Sequence, residues 1–178
     1  MINKVVYSHW SKPAKDDCVG FNTKEAFANS AKLSALMSKR WADEVELVTD
    51  KKGYNLLIKD LKLPFDNVRV ELDTLNKIDN KFWAIGKLHA CLLQDKPFMH
   101  LDMDAFWFKK PPAHILKAKA CFQNWETDEY SHQYYRKLIE NCHDTPELKM
   151  HKYVDFSKVV LNAVCCGFMG YNNLKHIP

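Results

Sequence analysis

The segment Pro97-Phe-Met-His-Leu-Asp-Met-Asp104 places two carboxylates directly after a short apolar run. Bulky side chains followed by acid are typical of a buried strand that ends at the edge of a sheet. Because side chains two residues apart lie on the same face of a strand, we expect Asp102 and Asp104 to converge just beyond its end. The segment therefore predicts a buried strand and a candidate binding site at the carboxyl end of that strand.

On both sides of this strand, the sequence alternates between strand-like and helix-like patterns. The predicted strands are Lys4–Ser8, Glu44–Asp50, Asn67–Asp73, Pro97–Asp104, Ala120–Asn124 and a last one from Val159 onward. The predicted helices are Asn22–Trp41, Gly53–Leu63, Asn80–Gln94, Pro111–Ala118 and Tyr130–Asn141. This alternation is typical of an α/β domain whose mostly parallel sheet is flanked by helices. We expect one domain over residues 1–178, because the sequence contains neither a repeat nor a linker.

Apolar periodicity predicts the buried faces of two of these helices. The first helix has a capping signal in Asn22 with Glu25 three residues later, and its apolar face is formed by Phe27, Ala31 and Ala35. The apolar stripe of the third predicted helix is formed by Phe82, Ile85, Leu88 and Leu92. Both stripes are expected to pack against the sheet.

The composition limits the classes of partner. The chain of 178 residues has 26 Lys and Arg against 22 Asp and Glu, a net charge of +4. This mild surplus suits an anionic ligand, but the lysines form no run that would favour nucleic acid. The amino terminus lacks the basic-then-apolar order of a secretion signal, and the apolar stretch Val159–Tyr171 is too short to span a bilayer. We therefore expect a cytoplasmic protein without a transmembrane segment, at most peripheral to the inner face of the membrane.

Asp102 and Asp104 are candidate ligands of a metal ion. Mg²⁺ and Mn²⁺ accept hard oxygen ligands, and two carboxylates can be completed by water and diphosphate oxygens. Pairs of acids also occur as solvated turns or helix caps. Here apolar residues flank the pair on both sides, and burying unpaired carboxylates costs several kcal/mol. The sequence therefore predicts a Mg²⁺ or Mn²⁺ site.

Three segments resemble nucleotide-sugar glycosyltransferases of the GT-A fold. Residues 97–112 resemble the D-x-D strand of those enzymes, and Lys81-Phe-Trp-Ala-Ile-Gly-Lys87 is similar to their helix that brings a basic residue to the donor diphosphate. Leu161-Asn-Ala-Val-Cys-Cys-Gly-Phe-Met-Gly170 resembles their N-A-G-x-x-x-G segment. More closely, residues 2–172 resemble an uncharacterised bacterial glycosyltransferase-like family with a V-V-Y-S-x-W-S-K-P opening and an F-W-A-x-G-K helix. The resemblance implies a Rossmann-like GT-A fold and a role in surface polysaccharide or glycoconjugate assembly.

The resemblance also implies roles for individual residues. It assigns nucleotide binding to Tyr7, Ser8, Trp10, Asp50, Lys87 and Asp102. It assigns the donor sugar to Trp83, Gln123 and Asn162, and the metal to Asp102 and Asp104. The implied reaction moves a sugar from a nucleotide-diphosphate donor to a glycan or glycoconjugate acceptor, and the N-A-V stretch favours retention of configuration. Glu126 and Asp128 are candidates for the base that an inverting enzyme would need, and their spacing does not decide between the two types.

Several alternatives remain open at the level of sequence. The chain ends at Pro178, soon after Gly170, and Cys165 stands where a glycine is expected, so it is either a fragment or a short form with an incomplete pocket. The alternative function is a truncated or degenerate glycosyltransferase-like domain that binds a nucleotide or a partner without catalysis. Haloacid-dehalogenase phosphatases also end an apolar strand with D-x-D, but theirs follows the first strand. Nucleotidyltransferases usually open with a glycine-rich loop, and Val5–Trp10 contains no glycine.

Overall fold

The computed structural model describes residues 1–14, 16–126, 133, 137 and 163–176. Its strands are β1 Lys4–His9, β2 Glu44–Thr49, β3 Asn67–Val70, β4 Phe98–Leu101, β5 Ala120–Glu126 and β6 Ala163–Tyr171. Its α-helices are α1 Lys24–Lys39, α2 Lys51–Tyr54, α3 Ile85–Leu92 and α4 Ala113–Lys117. The α/β class predicted from the alternating patterns is therefore confirmed. Within these described ranges, no helix is both long and apolar enough to cross a membrane.

The chain divides into two compact units. The first comprises Met1–Phe122 with Gly167–Pro178, and the second comprises Gln123–Cys166. Most of the second unit, including most of the predicted helix Tyr130–Asn141, lies outside the described residues. The expectation of a single domain over residues 1–178 stays a prediction.

Among the described residues, the sheet has six strands in the order β3-β2-β1-β4-β6-β5. Strand β1 pairs in parallel with β2 and with β4, and β2 pairs in parallel with β3. Strand β6 runs antiparallel to β4, so the sheet is mixed and the prediction of a mostly parallel sheet is wrong on this point. Alternating strand and helix patterns indicate crossover connections, but they carry no information about the direction in which a last strand returns.

Helix α1 covers one face of the sheet as its apolar spacing predicts. Phe27, Ala31 and Ala35 are all buried in the core, beneath the exposed polar side of the helix. The helix begins one residue later than the capping signal suggests, because Thr23 accepts the backbone N–H of Ala26 at 3.0 Å. A hydroxyl at this position satisfies one of the backbone donors that a helix start leaves unpaired.

Several predicted boundaries differ from the structure. The helix predicted at Gly53–Leu63 begins at Lys51 and continues as a π-helix over Asn55–Asp60. The strand predicted at Asn67–Asp73 ends at Val70, and a 3₁₀ helix follows over Leu72–Lys77. These differences leave the order of elements unchanged.

The buried face of α3 differs from the predicted apolar stripe. The residues of α3 that pack inward are small, namely Gly86, Ala90 and Cys91, whereas Leu92 is 60% exposed. The helix lies so close to the chain after β1 that a Cβ atom on Gly86 would come within 2.7 Å of Trp10 Cβ. Periodicity selects the largest apolar side chains, but a close approach between a helix and its neighbour requires small ones.

A buried network of charges occupies the amino-terminal part of the central strands. Lys4 and Glu46 have side chains only 2% exposed, and Lys4 Nζ lies 2.6 Å from Glu46 Oε2. The same ammonium lies 3.1 Å from Glu44 Oε1, and Arg69 Nε lies 2.6 Å from Glu46 Oε1. Such a network is stable only when every buried charge keeps its partners.

The ion pairs of Glu44 predict a pH-dependent contribution to stability. Partial burial alone would raise the pKa of this carboxyl, but Lys96 and Lys4 outweigh that effect and lower the pKa to about 2. Because the folded pKa is depressed, the stabilisation is present above the ordinary pKa of 4.5 and is lost as the pH falls toward 2. We expect Glu44→Gln to lower the free energy of unfolding by about 1–2 kcal/mol at neutral pH, since Lys96 is partly solvated.

Urea unfolding at neutral pH and at successively lower pH values measures this difference. The gap between Glu44→Gln and the native sequence should close on acidification. Glu71→Gln is the matched control, because Glu71 is exposed and its carboxylate has no partner among the described side chains. A gap of constant size at all pH values would contradict the assignment of the effect to the charge of Glu44.

Candidate functional site

A pocket of about 570 Å³ lies at the carboxyl ends of β1 and β4. Its walls come from the end of β1, from the loop that follows β1, from the start of α3 and from the turn after β4. Strands β1, β2 and β3 extend toward one edge of the sheet, and β4 lies on the other side of β1. The pocket thus occupies the point where the strand order reverses, which is the usual ligand-binding crevice of open α/β sheets.

Asp102 and Asp104 both line this pocket, just beyond the end of β4 at Leu101, and their predicted metal binding stays a prediction. A tight turn after β4 positions them: the backbone N–H of Asp102 donates to Gly167 O at 2.9 Å, and that of Ala105 donates to Asp102 O at 3.0 Å. The side chain of Asp102 is 34% exposed, whereas Asp104 is exposed and has no ion pair or hydrogen bond among the described side chains. The turn therefore presents one paired and one open carboxylate.

Lys87 is the cationic group of the pocket. Helix α3 brings its Nζ to 2.7 Å from Asp102 Oδ1 and 2.8 Å from Oδ2, and the lysine side chain is only 11% exposed. Burial raises the pKa of the Asp102 carboxyl, Lys87 acts in the opposite direction, and the charge of Asp104 raises it further. An added cation near the two carboxylates would relieve the repulsion between them.

The two carboxylates are the groups of the pocket that could hold a divalent cation. Among the residues that the structure describes, no further His, Cys, Asp or Glu joins them to form a three-ligand cluster. Two carboxylates from the protein, completed by water and phosphate oxygens, are the usual set for Mg²⁺ at nucleotide sites. The open carboxylate of Asp104 would be a direct ligand, and Asp102 would share its oxygens with Lys87.

Ser8, which lines the pocket, forms a hydrogen bond with His100. Ser8 Oγ lies 2.9 Å from His100 Nε2, and His100 is completely buried on the neighbouring strand. Burial, together with the nearby charge of Lys87, lowers the pKa of His100 well below 6.5, so its imidazole is neutral. The pair fixes the direction of the Ser8 hydroxyl, and the nucleotide contact of Ser8 stays a prediction.

Trp10 and His9 complete the wall beside β1. Trp10 is 7% exposed, lines the pocket and packs its Cβ against Gly86, and its nucleotide contact stays a prediction. His9 also lines the pocket, and the sequence interpretation did not include it. The rule that polar residues at the carboxyl end of a strand face the ligand crevice would have found it.

A second part of the pocket that sequence reasoning missed is the loop after β1. Its contributions to the wall are Pro13, Ala14, Asp16, Val19, Gly20 and Phe21. Val19 has φ 51° and Gly20 has φ 85°, so the backbone turns through the left-handed region at a β-branched residue. The sequence shows only a connection here, because the way a loop folds back over a strand end depends on tertiary contacts.

Tyr7 does not line the pocket. Its ring is completely buried, and its hydroxyl lies 2.9 Å from Ser34 Oγ and 2.7 Å from Ser38 Oγ on α1. Burial raises its pKa to about 12. Because neighbouring residues of a strand point to opposite faces, Ser8 reaches the pocket whereas Tyr7 points into the core. The implied nucleotide contact of Tyr7 is therefore corrected to a structural role.

The side chain of Asp50 also has a structural role. It is 3% exposed, and its Oδ1 accepts the backbone N–H of Gly53 at 2.7 Å at the start of α2. Its Oδ2 accepts the backbone N–H and the hydroxyl of Ser11 at 2.8 and 2.7 Å. Asp50 thus caps a helix and anchors the chain after β1, which replaces the predicted contact with base or ribose.

The predicted donor-sugar residues have different outcomes. Trp83 lines the pocket, is 55% exposed and holds its ring 6.0 Å from Lys87 Nζ. Gln123 is exposed in the second unit, where Cys165 Sγ lies 3.5 Å from its Oε1, and its role stays a prediction. Asn162 lies outside the described residues.

The two carboxylates considered as a catalytic base lie at the boundary of the described residues. Glu126 is the last residue of β5, and Asp128 lies outside the described ranges. Whether either acts as a base stays open.

Comparison with known proteins places the chain in a family. No curated protein and no solved structure matches it. A family of unknown function, DUF6734, matches residues 3–178. Since the match covers nearly the whole chain, including every residue of the pocket, the protein belongs to the DUF6734 family.

Proposed function

We propose that the protein is a metal-dependent glycosyltransferase. It would bind a nucleotide-diphosphate sugar in the pocket and transfer the sugar to a glycan or glycoconjugate acceptor, with retention of configuration. The observation that carries the proposal is the meeting of Asp102, Asp104 and Lys87 in one pocket at the reversal point of the strand order. Two carboxylates beside a cation suit a metal-bound diphosphate.

The chemistry of the pocket wall matches the parts of such a donor. Lys87 would hold diphosphate charge while remaining close to Asp102. The half-exposed ring of Trp83 offers an apolar face to a base or a sugar ring. Ser8, oriented by His100, presents a hydroxyl that can hydrogen-bond to a ribose or phosphate oxygen. Ser8 is held by β1 and Lys87 by α3, and Trp83 lies in the turn just before α3.

The transfer step requires that the departing diphosphate be stabilised as its negative charge grows. When bound, the divalent ion supplies Lewis-acid stabilisation of that charge. Lys87 adds a positive charge from the protein, in a partly buried setting where electrostatic interactions are stronger than in water. Asp102 and Asp104 line the same pocket as Lys87, so all three groups can act on one bound diphosphate.

A second candidate function is nucleotide binding without catalysis. The ion pair between Lys87 and Asp102 favours it, because the pair already neutralises the more buried carboxylate without a metal. A pocket of this kind could bind a nucleotide through Lys87 alone. The two functions differ in whether affinity depends on the metal and whether the donor is turned over.

Calorimetric titration of UDP and GDP, each with and without Mn²⁺, tests the proposed site. We expect Mn²⁺ to increase the affinity for nucleotide. We expect Asp104→Ala to lower the affinity measured with Mn²⁺ at least tenfold, because it deletes the open carboxylate. Asp95→Ala is the control, since Asp95 is exposed just before β4, at the opposite end of that strand. Binding that ignores both the metal and Asp104 would refute the metal site.

Turnover separates the two candidates. A glycosyltransferase is expected to hydrolyse its sugar nucleotide slowly when no acceptor is present, so released UDP or GDP can be measured across a panel of donors. Metal-dependent release that is lost in Asp104→Ala supports the enzyme. Tight, metal-independent nucleotide binding with no release from any donor supports the binding domain instead.

A further inference from the structure

The stretch from Ala105 to Trp125 carries the entire net charge of the protein. It contains four lysines and no acidic residue, and the four lysines are Lys109, Lys110, Lys117 and Lys119. Because the chain as a whole has a net charge of +4, the remaining residues are neutral overall. Uncompensated positive charge is therefore concentrated in one stretch of the sequence, although no long run of lysines marks it.

All four lysines are exposed. None of their side chains has an ion pair or hydrogen bond within the part of the chain that the structure describes. Elsewhere in the protein, lysines such as Lys4, Lys39 and Lys96 are paired with acids. The lysines of this stretch are thus available to an external anion.

Two phenylalanine rings stand beside the first two lysines. Phe106 is 37% exposed and Phe108 is 65% exposed, and their ring centroids are 6.1 Å apart. Trp107, between them, points the other way and packs edge-on against Phe168 at 5.2 Å. Because Trp107 packs inward and anchors the backbone, the rings of Phe106 and Phe108 on either side of it point outward and are exposed.

The chain after the two rings is also held firmly. Helix α4 buries Leu116, and the Leu116 carbonyl accepts the backbone N–H of Ile2 at 2.9 Å and the side-chain amide of Asn172 at 2.7 Å. The same helix leaves His114 and Lys117 exposed, one turn apart on its outer side. The chain after the bend at Phe108 is therefore anchored at α4, and its basic side chains are exposed.

We infer that the stretch Ala105–Lys119 docks the protein on an anionic phospholipid bilayer. Lys109 and Lys110 follow Phe108 directly, so rings that enter the interface bring two ammonium groups to the level of the lipid headgroups. The lysines at the end of α4 add long-range attraction within a Debye length of the surface. A single-stranded nucleic acid would need a groove that follows its backbone, whereas the two rings stand at a surface bend.

The stretch Ala105–Lys119 begins next to the pocket, so docking on a bilayer would affect how an acceptor reaches the pocket. Ala105 follows Asp104 directly, so the bilayer would lie near the mouth of the pocket. An acceptor carried by a lipid would then reach the pocket without leaving the membrane. The docking itself depends only on the basic and aromatic residues, and it stands or falls separately from the proposed glycosyl transfer.

Co-sedimentation with vesicles tests the inference in the absence of nucleotide and metal. Vesicles of phosphatidylcholine mixed with phosphatidylglycerol should bind the protein. Vesicles of phosphatidylcholine alone should bind it at least roughly tenfold more weakly. Lys109→Ala with Lys110→Ala should reduce binding to the anionic vesicles by roughly tenfold or more, and added salt should have a similar effect. Phe106→Ala with Phe108→Ala should also reduce it, and that loss should persist at high salt.

Matched controls keep the result specific. Lys32→Ala with Lys77→Ala removes the same charge from exposed positions elsewhere, and Leu92→Ala removes an equally exposed apolar side chain from α3. Both controls should bind vesicles like the native protein. Equal binding to both kinds of vesicle, or equal losses in the controls and the variants, would overturn the inference. Binding to a single-stranded oligonucleotide that depends on the same residues, without vesicle binding, would overturn it in favour of a nucleic acid.

Discussion

Replacing Lys87 with methionine should weaken the binding of UDP or GDP about a hundredfold. The substitution keeps the length and apolar stem of the side chain but removes the cation that lies 2.7 and 2.8 Å from the two Asp102 oxygens. Two losses then add: the diphosphate loses a charged partner, and the carboxylate of Asp102 is left to repel it. Calorimetric titration in the presence of Mn²⁺ measures the change.

The matched control for this prediction is Lys81→Met. Lys81 lies six residues earlier, is partly exposed and contacts Asp79 at 3.8 Å, away from the pocket wall. The Lys81→Met variant should bind nucleotide like the native protein. Lys87→Arg should retain more nucleotide affinity than Lys87→Met, because arginine keeps the positive charge. Thermal unfolding shows whether each variant is folded. Unchanged affinity in folded Lys87→Met would remove Lys87 from the site.

Replacing Glu46 with glutamine should lower the free energy of unfolding by about 3 kcal/mol. Glu46 is 2% exposed and is the shared partner of Lys4 and Arg69, both of which keep their charge when the carboxylate is removed. Lys4 is equally buried and would retain only Glu44. The amide can accept a hydrogen bond, but it cannot neutralise the buried ammonium. Urea unfolding at neutral pH measures the loss.

A double-mutant cycle shows whether the loss comes from the ion pair. Lys4→Met combined with Glu46→Gln should cost less than the sum of the two single changes, because the second removes a charge that the first has left unpaired. Glu71→Gln, an exposed glutamate in the same region of the chain, should change stability by no more than about 0.5 kcal/mol. Additive losses in the cycle would show that Lys4 and Glu46 act independently.

The sequence predicted the parts of the site that depend on local pattern. A buried strand followed by two acids at alternate positions is enough to place Asp102 and Asp104 together at a strand end. The F-W-A-x-G-K resemblance directed attention to Trp83 and Lys87, which both line the pocket. Lys87 lies on α3, whereas Asp102, Asp104 and Trp83 lie in turns next to β4 and α3, so the local pattern places each of them beside the end of a strand or helix.

The sequence could not assign the residues whose role depends on a partner far along the chain. Tyr7 and Ser8 are neighbours on β1, and only the packing of α1 decides that Tyr7 is buried against Ser34 and Ser38. Asp50 ends a strand as a ligand-binding residue would, yet it pairs with Ser11, thirty-nine positions away. The pattern of the sequence also gave no sign of the basic stretch around Lys109 and Lys110. A search for runs of lysine does not detect a stretch that is basic because it lacks acidic residues.

The sequence by itself thus determined the α/β class, most of the strands and helices and the acidic end of β4, since apolar periodicity and residue spacing act over a few neighbouring positions. The tertiary structure decided the antiparallel course of β6, the small-residue contact between α3 and Trp10 and the loop that closes the pocket. These features depend on how separate segments pack, and packing is selected by the complementarity of whole surfaces.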